Sequence, residues 1–187
     1  VNSVRSRLEL VLGWLQRERP DALCLQETKV QDSIFPASGF HSAGYNVVFR
    51  GQKSYNGVAI ASPHPIEEVD HEISRFTAPG EARIITAIIR GIHVVNTYAP
   101  QGQNPSSEKF RYKLNWFKGM RAFFESYYSP ETPLVWAGDF NVAPEPVDVY
   151  DPDRLYGSVM YHPEEHKALQ NVKEWGFTDI FRLHVKD

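Results

Sequence analysis

An acid and an amide two residues apart, Asp139 and Asn141, close the run Leu134-Val135-Trp136-Ala137-Gly138-Asp139-Phe140-Asn141. Four apolar residues leading into a glycine and a carboxylate read as a buried strand ending at a functional loop. Residues i and i+2 of an extended chain share a face. The spacing therefore predicts that both side chains point the same way from the carboxyl end of the strand, where open α/β sheets carry their ligands. Two further stretches repeat the pattern. Asp21-Ala22-Leu23-Cys24-Leu25 leads into Gln26-Glu27-Thr28-Lys29, and a run from Ile92 ends in Asn96-Thr97-Tyr98-Ala99-Pro100-Gln101-Gly102. If these three strands share one end of the fold, Glu27, Tyr98, Asp139 and Asn141 converge. Carboxylate and amide oxygens suit a hard divalent cation such as Mg²⁺, which keeps several of its waters. A phosphoryl site also needs donors for the nonbridging oxygens and a group to orient the attacking water. Asn141 and Tyr98 are such donors. Taken singly, an Asp after a strand is more often a turn former or helix cap, and Tyr98 is equally a half-buried aromatic.

Other chemistries find less support. His162 and His166 stand four apart with two glutamates between them, but Pro163 marks the first position of a helix and leaves His162 outside it, which spoils a zinc-binding face. There is no G-x-x-x-x-G-K-[ST] loop and no G-x-S-x-G elbow. Asn104-Pro105-Ser106 fails as a glycosylation site because of its proline. Basic residues such as Arg17, Arg50, Arg83, Lys109 and Arg111 are dispersed and read by default as solvated charges.

The elements that must position these strand ends follow from periodicity. Ser3 reads as an N-cap, with Val4, Leu8, Val11, Leu12 and Leu15 at helical spacing and Pro20 as the stop. A loop runs through Phe35-Pro36 and Gly39. Strands are predicted at 45–49, 57–62, 83–89 and 92–98, the last two joined by a tight hairpin at Arg90-Gly91. Phe110, Leu114, Phe117, Met120 and Phe124 mark a long amphipathic helix. Residues 143–155 read as a surface loop, a helix begins at Pro163 and ends at Gly176, and a short strand is expected at 177–181. Helices alternating with strands indicate a layered α/β domain, and the hairpin-linked strands argue against a purely parallel sheet.

The chain's 187 residues, 42% of them hydrophobic, can bury one sizeable core. A net charge of −3 and a pI near 6.2 argue against gripping nucleic acid by bulk electrostatics. A phosphate-handling enzyme stays open, because its carboxylates can recruit a cation to the scissile phosphate. The one cysteine, Cys24, cannot form an internal disulfide, and a reducing, cytoplasmic setting is expected. Neither a membrane anchor nor a signal peptide is read from the sequence. The start at Val1 instead of Met suggests that something upstream has been removed.

Leu25-Gln26-Glu27-Thr28-Lys29, Asn96-Thr97-Tyr98-Ala99-Pro100-Gln101-Gly102 and Gly138-Asp139-Phe140-Asn141, in this order, resemble the exodeoxyribonuclease III / AP endonuclease group of the endonuclease/exonuclease/phosphatase superfamily. Residues 1–7 resemble the end of that family's first motif, and Trp175-Gly176-Phe177-Thr178-Asp179-Ile180-Phe181-Arg182 a later segment. The resemblance covers the whole chain and implies a single domain over 1–187. It implies a four-layered α/β sandwich in which two facing mixed β-sheets are flanked by helices, with the active site at one end of the sheets. It further implies a Mg²⁺-dependent phosphodiesterase of base-excision repair, with Mn²⁺ as the alternative ion. Its partner would be double-stranded DNA with abasic sites or blocked 3′ ends: incision beside abasic sites, 3′–5′ exonuclease action and 3′-end repair. By the same resemblance Glu27 is the metal ligand, and Asp139 orients or deprotonates the attacking water or protonates the leaving oxygen. Asn141 holds Asp139 and the phosphate, and Tyr98 bonds the phosphate. Gln101, Lys109 and Arg83 contact the DNA or wall the site. A monomer is expected.

The family pattern departs from this sequence at its ends. Its first motif begins with a strand and an active-site Asn that would fall just before Val1, Asn2 being the later asparagine of that motif. It also continues past Arg182 through an aromatic loop, an Asp and a final Asp-His pair. The resemblance therefore implies a domain incomplete at both termini, with unpaired sheet edges and impaired turnover. Two rival functions remain at this point: another phosphoesterase of the superfamily, and a catalytically impaired DNA-binding fragment.

Overall fold

The computed structural model describes residues 1–68, 76, 78 and 80–184. The chain forms two compact units, the first comprising Val1–Ser74, Ala78–Tyr98 and Pro133–Asp139, the second Arg75–Thr77, Ala99–Thr132 and Phe140–Asp187.

The first unit carries both sheets. Strands β1 (Leu23–Gln26), β2 (Asn46–Arg50) and β3 (Val58–Ser62) form a sheet of order β1-β3-β2, antiparallel throughout. Strands β4 (Glu67–Glu68), β5 (Ile84–Ile89), β6 (Ile92–Tyr98) and β7 (Leu134–Asp139) form the second, of order β4-β5-β6-β7. Only this second sheet is mixed: β5 and β6 make the hairpin at Arg90-Gly91, whereas β6 and β7 run parallel. β3 explains why its sequence, Val-Ala-Ile-Ala-Ser, shows no alternation. Ala59 and Ala61 face a core made with helices α1 (Leu8–Glu18) and α2 (Ala37–Ser42), while Val58 and Ile60 face Ile85, Ala87 and Val94 of the other sheet. A strand buried on both sides reads as one apolar run, and Val58 and Ile60, taken from water, each contribute about 1.5–3 kcal/mol.

One buried polar group joins the two sheets. The Asn96 side chain on β6 is fully buried; its Nδ2 donates to the carbonyl oxygens of Leu25 at 3.0 Å and Ala59 at 2.9 Å, and its Oδ1 accepts from Gln26 Nε2 at 2.6 Å. Sheet position at the end of β1 is thereby tied to sheet position near the end of β6.

The second unit is built on α3 (Glu108–Tyr127), capped by Ser107, whose hydroxyl accepts from Phe110 N–H. Phe124 of α3 packs on Trp175 and Phe177, with ring centroids 5.5 and 4.7 Å away. Leu169 and Val172 of α5 (Pro163–Lys173) are buried too.

Several local expectations are corrected. Ser3 is not an N-cap: residues 4–7 form a turn, α1 starts at Leu8, and Ser3 instead donates its N–H to Glu27 O. The loop near Gly39 contains the short helix α2, because Phe40 buries completely beside Phe35. Residues 143–155 include a 3₁₀ turn at Pro146–Asp148 and the short helix α4 (Pro152–Leu155), each opened by a proline. The strand expected at 177–181 is absent. Residues Ile180–His184 form helix α6, whose start is capped by Asp179 accepting from Arg182 N–H. Among the described strands β1 and β7 each pair along one edge only, and a cavity of about 590 Å³ lies there, lined by Ala22, Cys24, Val94, Val135 and Ala137 among others.

Candidate active site

Glu27 follows the last residue of β1 in the left-handed conformation, φ +56°, as does Lys29 at φ +51°. Non-glycine residues rarely adopt this region unless their surroundings hold them there, and such positions cluster at functional sites. Here the backbone is gripped from both sides: Ser3 and Val4 donate to the Glu27 and Thr28 carbonyls, and Thr28 and Lys29 donate to Gly57 and Asn56. The Glu27 carboxylate is thus fixed in place while remaining 28% exposed.

Both of its oxygens are engaged. Tyr98 Oη donates to Glu27 Oε1 at 2.5 Å, and Lys29 Nζ stands 3.1 Å from Oε2 while also donating to Asn2 Oδ1 at 2.6 Å. The bond from Tyr98 holds the Glu27 carboxyl below the usual carboxylate range; partial burial opposes this and Lys29 reinforces it. The Tyr98 phenol moves the other way, pushed up first by burial and then by its bond to the Glu27 carboxylate. It keeps its proton and acts as a donor. Arg83 braces it: the guanidinium lies 5.2 Å from the Tyr98 ring centroid, Nη1 donates to Tyr98 O at 3.2 Å, and Nε pairs with Glu81 Oε2 at 2.5 Å. With a side chain only 12% exposed, Arg83 packs inward against Tyr98.

Parallel pairing of β6 with β7 sets Tyr98 opposite Asp139 and Thr97 opposite Gly138. The close approach depends on Gly138, at φ +142°, where a Cβ would lie 1.9 Å from Thr97 O. Trp136 Nε1 donates to Thr97 Oγ1 at 3.0 Å and locks the same pair of strands. Asp139 ends β7 exposed to solvent. Glu27, Tyr98 and Asp139 therefore stand at strand ends of one unit.

The other expected residues belong to the second unit. Asn141 lies beyond β7 at φ +50°, so the two-residue alternation that paired it with Asp139 on one face ends at Asp139; its Nδ2 donates to Ala99 O at 2.9 Å. Gln101 is exposed, its Oε1 accepting from Gln103 N–H at 2.9 Å, and Lys109 stands exposed in the first turn of α3. Sequence reading singled out neither Lys29 nor Asn96. Lys29 lies inside the Gln-Glu-Thr-Lys stretch, but the bonds that give it and Asn96 their positions come from residues 27 and 70 places away.

Among the described residues no group of three His, Cys, Asp or Glu side chains is placed to enclose a metal ion. The donor set suits a cation that is content with little protein: Mg²⁺ binds through one or two carboxylates, retained waters and substrate phosphate. Glu27, ionised and held at a strand end, is the residue that fits this role.

A model of the Endonuclease/Exonuclease/phosphatase family matches residues 1–182. Exodeoxyribonuclease III of Haemophilus influenzae is 28% identical over 97% of this chain, which covers 72% of that enzyme. The DNA repair nuclease APEX1 of Danio rerio is 30% identical over 91% of the chain, which covers 56% of it. Among solved structures, an AP endonuclease from Archaeoglobus fulgidus shares 44% identity with a TM-score of 0.91, over 98% of this chain and 71% of that one. The 3′–5′ exonuclease NExo of Neisseria meningitidis shares 34% identity with a TM-score of 0.93, over 100% and 73%. A Neisseria NExo, described as a 3′ phosphatase, has also been solved bound to a product DNA hairpin.

Proposed function

The chain belongs to the endonuclease/exonuclease/phosphatase family, in its exodeoxyribonuclease III and AP endonuclease branch, and from that premise we propose a Mg²⁺-dependent DNA phosphodiesterase of base-excision repair. Its substrate is duplex DNA carrying abasic sites or blocked 3′ ends, and it acts as a cytoplasmic monomer. The observation that carries this reading is the bond from Tyr98 to Glu27 at the end of the strand pair that sets Tyr98 opposite Asp139. Residues 1–187 are read as one domain, supported by a single family model running through both units.

In this reading Glu27 holds the cation, which when bound neutralises charge at the scissile phosphate. Asp139, exposed at its strand end, orients the attacking water and takes its proton as the oxygen bonds to phosphorus. The bond from phosphorus to the leaving oxygen breaks, and a proton is returned to that oxygen. Tyr98, which keeps its proton, would turn that one proton from Glu27 to a phosphate oxygen once a cation occupies the carboxylate, with Arg83 bracing the ring. In the second unit Asn141 donates toward the phosphate, and Gln101 and Lys109 contact the DNA. Because a Neisseria relative is described both as a 3′ phosphatase and as an exonuclease, 3′-end processing belongs beside abasic-site incision as a substrate to be assayed.

The test is cleavage of a duplex carrying one abasic-site analogue, and of a 3′-phosphate duplex, with Mg²⁺ and with EDTA, by this chain beside Asp139→Ala. Mg²⁺-dependent cleavage that falls about 10³-fold or more in the variant is expected, since groups acting as a unit fail together. A folded chain that binds the duplex without Mg²⁺-dependent turnover overturns the reading in favour of a DNA-binding fragment.

A further inference from the structure

The largest departure from ordinary burial in the second unit is an ion pair. Lys113 on α3 and Glu165 on α5 have side chains that are both fully buried, with Lys113 Nζ bonded to Glu165 Oε1. Such a pair is weak evidence for stability, because desolvating two charges offsets most of their attraction. Its partners point to a different use. The Lys113 ammonium also donates to the Asn141 carbonyl at 2.5 Å and to the Gln101 carbonyl at 3.3 Å. One cation with three protons thus ties α5, the loop after β7 and the loop after β6 to α3.

The surroundings are shaped around this arrangement. Gly102 lies at φ +99° against the Lys113 stem: a Cβ there would stand 3.3 Å from Lys113 Cδ and 3.1 Å from Val159 Cγ2. The loop after β7 is also held from α5, where His166 Nε2 lies 2.8 Å from Ala143 O, and from Met160 O, which accepts Ala143 N–H at 2.7 Å. Asn141 itself returns a bond to Ala99. These contacts fix a left-handed residue by its carbonyl and by its side chain.

We propose that Lys113, paired in the interior with Glu165, is a positioning residue that sets the backbone at Asn141 and Gln101. This rests on the reading of Asn141 as part of the phosphodiesterase site. Removing the pair loosens both loops without unfolding the helices that carry it.

The test compares Lys113→Met, Lys113→Arg and the double variant Lys113→Met/Glu165→Met in two measurements. Lys113→Met alone strands a buried carboxylate and is expected to melt at a lower temperature, whereas the double variant removes both charges and is expected to fold like the parent. In the double variant, amide hydrogen exchange at 101–103 and 140–143 is expected to accelerate about tenfold or more while α3 and α5 keep their protection. On the abasic-site duplex its kcat is expected to fall about 10²-fold with KM within about twofold, with Lys113→Arg recovering part of the loss. A double variant with parental exchange at both loops overturns the proposal, as does one with parental kcat, which leaves the pair a packing feature. If the parent chain shows no Mg²⁺-dependent cleavage, the phosphodiesterase reading fails, and the exchange result alone decides the positioning role of Lys113.

Discussion

The Tyr98 hydroxyl donates to Glu27 Oε1 across 71 residues of sequence, joining the end of β6 in one sheet to the end of β1 in the other. This contact brings a donor that keeps its proton against a carboxylate that readily gives one up, and it has consequences that can be measured.

Tyr98→Phe removes the donor and lets the Glu27 carboxyl return toward its ordinary value of 4.5. The folded value is depressed, so its contribution to stability is complete above 4.5 and is lost as pH falls through the folded value. The variant is expected to be less stable at pH 7 by about 1.5 kcal/mol, the low end of what a hydrogen bond to a charged group contributes, because the Glu27 carboxylate is partly exposed. Urea titrations at pH 7 and pH 3 check the sign: the gap between variant and parent narrows in acid. A gap that does not change with pH means that Tyr98 is not what holds the carboxyl down.

Asn96 supplies the donor for two buried carbonyls at the junction of the sheets. Asn96→Leu keeps the branched shape but is somewhat larger and leaves the Leu25 and Ala59 oxygens without the donor, at an expected cost of about 2–4 kcal/mol. Asn96→Asp places an acceptor against those same oxygens and is expected to cost more. Thermal melts of the two variants rank them, and an Asp variant as stable as the parent contradicts the assigned amide orientation.

At Gly138 a methyl group would collide with backbone, not with a side chain able to move. Gly138→Ala is expected to lose about 3 kcal/mol or more, through sterics and the positive φ together. Circular dichroism under urea reads the loss, and parental stability would mean that β6 and β7 do not pair in this register.

Burial pushes the Cys24 thiol up to about 12 from an ordinary 9.0. A raised value means that its contribution to stability is intact below pH 9 and is lost as pH climbs through the folded value. At pH 8 the native thiol is expected to alkylate about 10³-fold more slowly than the urea-unfolded chain, because thiolate is the reacting form. Iodoacetamide labelling followed by mass spectrometry measures the ratio, and comparable rates would place the thiol in solvent.

Much of this protein was legible in one dimension, because much of it is governed by local periodicity and turn chemistry. The hairpin at Arg90-Gly91, the α3 stripe from Phe110 to Phe124, and the Pro163 helix start each depend on residues within a few positions of one another. The three strand ends were equally visible, since an apolar run giving way to polar groups is a local signal. Errors fell where tertiary packing overrode the local cue. Phe40 made a helix of an expected loop, and residues from Ile180 formed a helix instead of a strand.

By itself, the sequence determined, through the ordered motifs containing Glu27, Tyr98 and Asp139, which family the chain resembles. Only tertiary structure decided how those residues are held. Lys29 on Glu27, Arg83 under Tyr98, Asn96 between the sheets and Lys113 with Glu165 in the interior all look like ordinary polar residues in sequence. The reason is physical: a hydrogen bond or ion pair is defined by distance in space, and its worth by the water removed around it. Neither quantity is encoded within a few neighbouring positions.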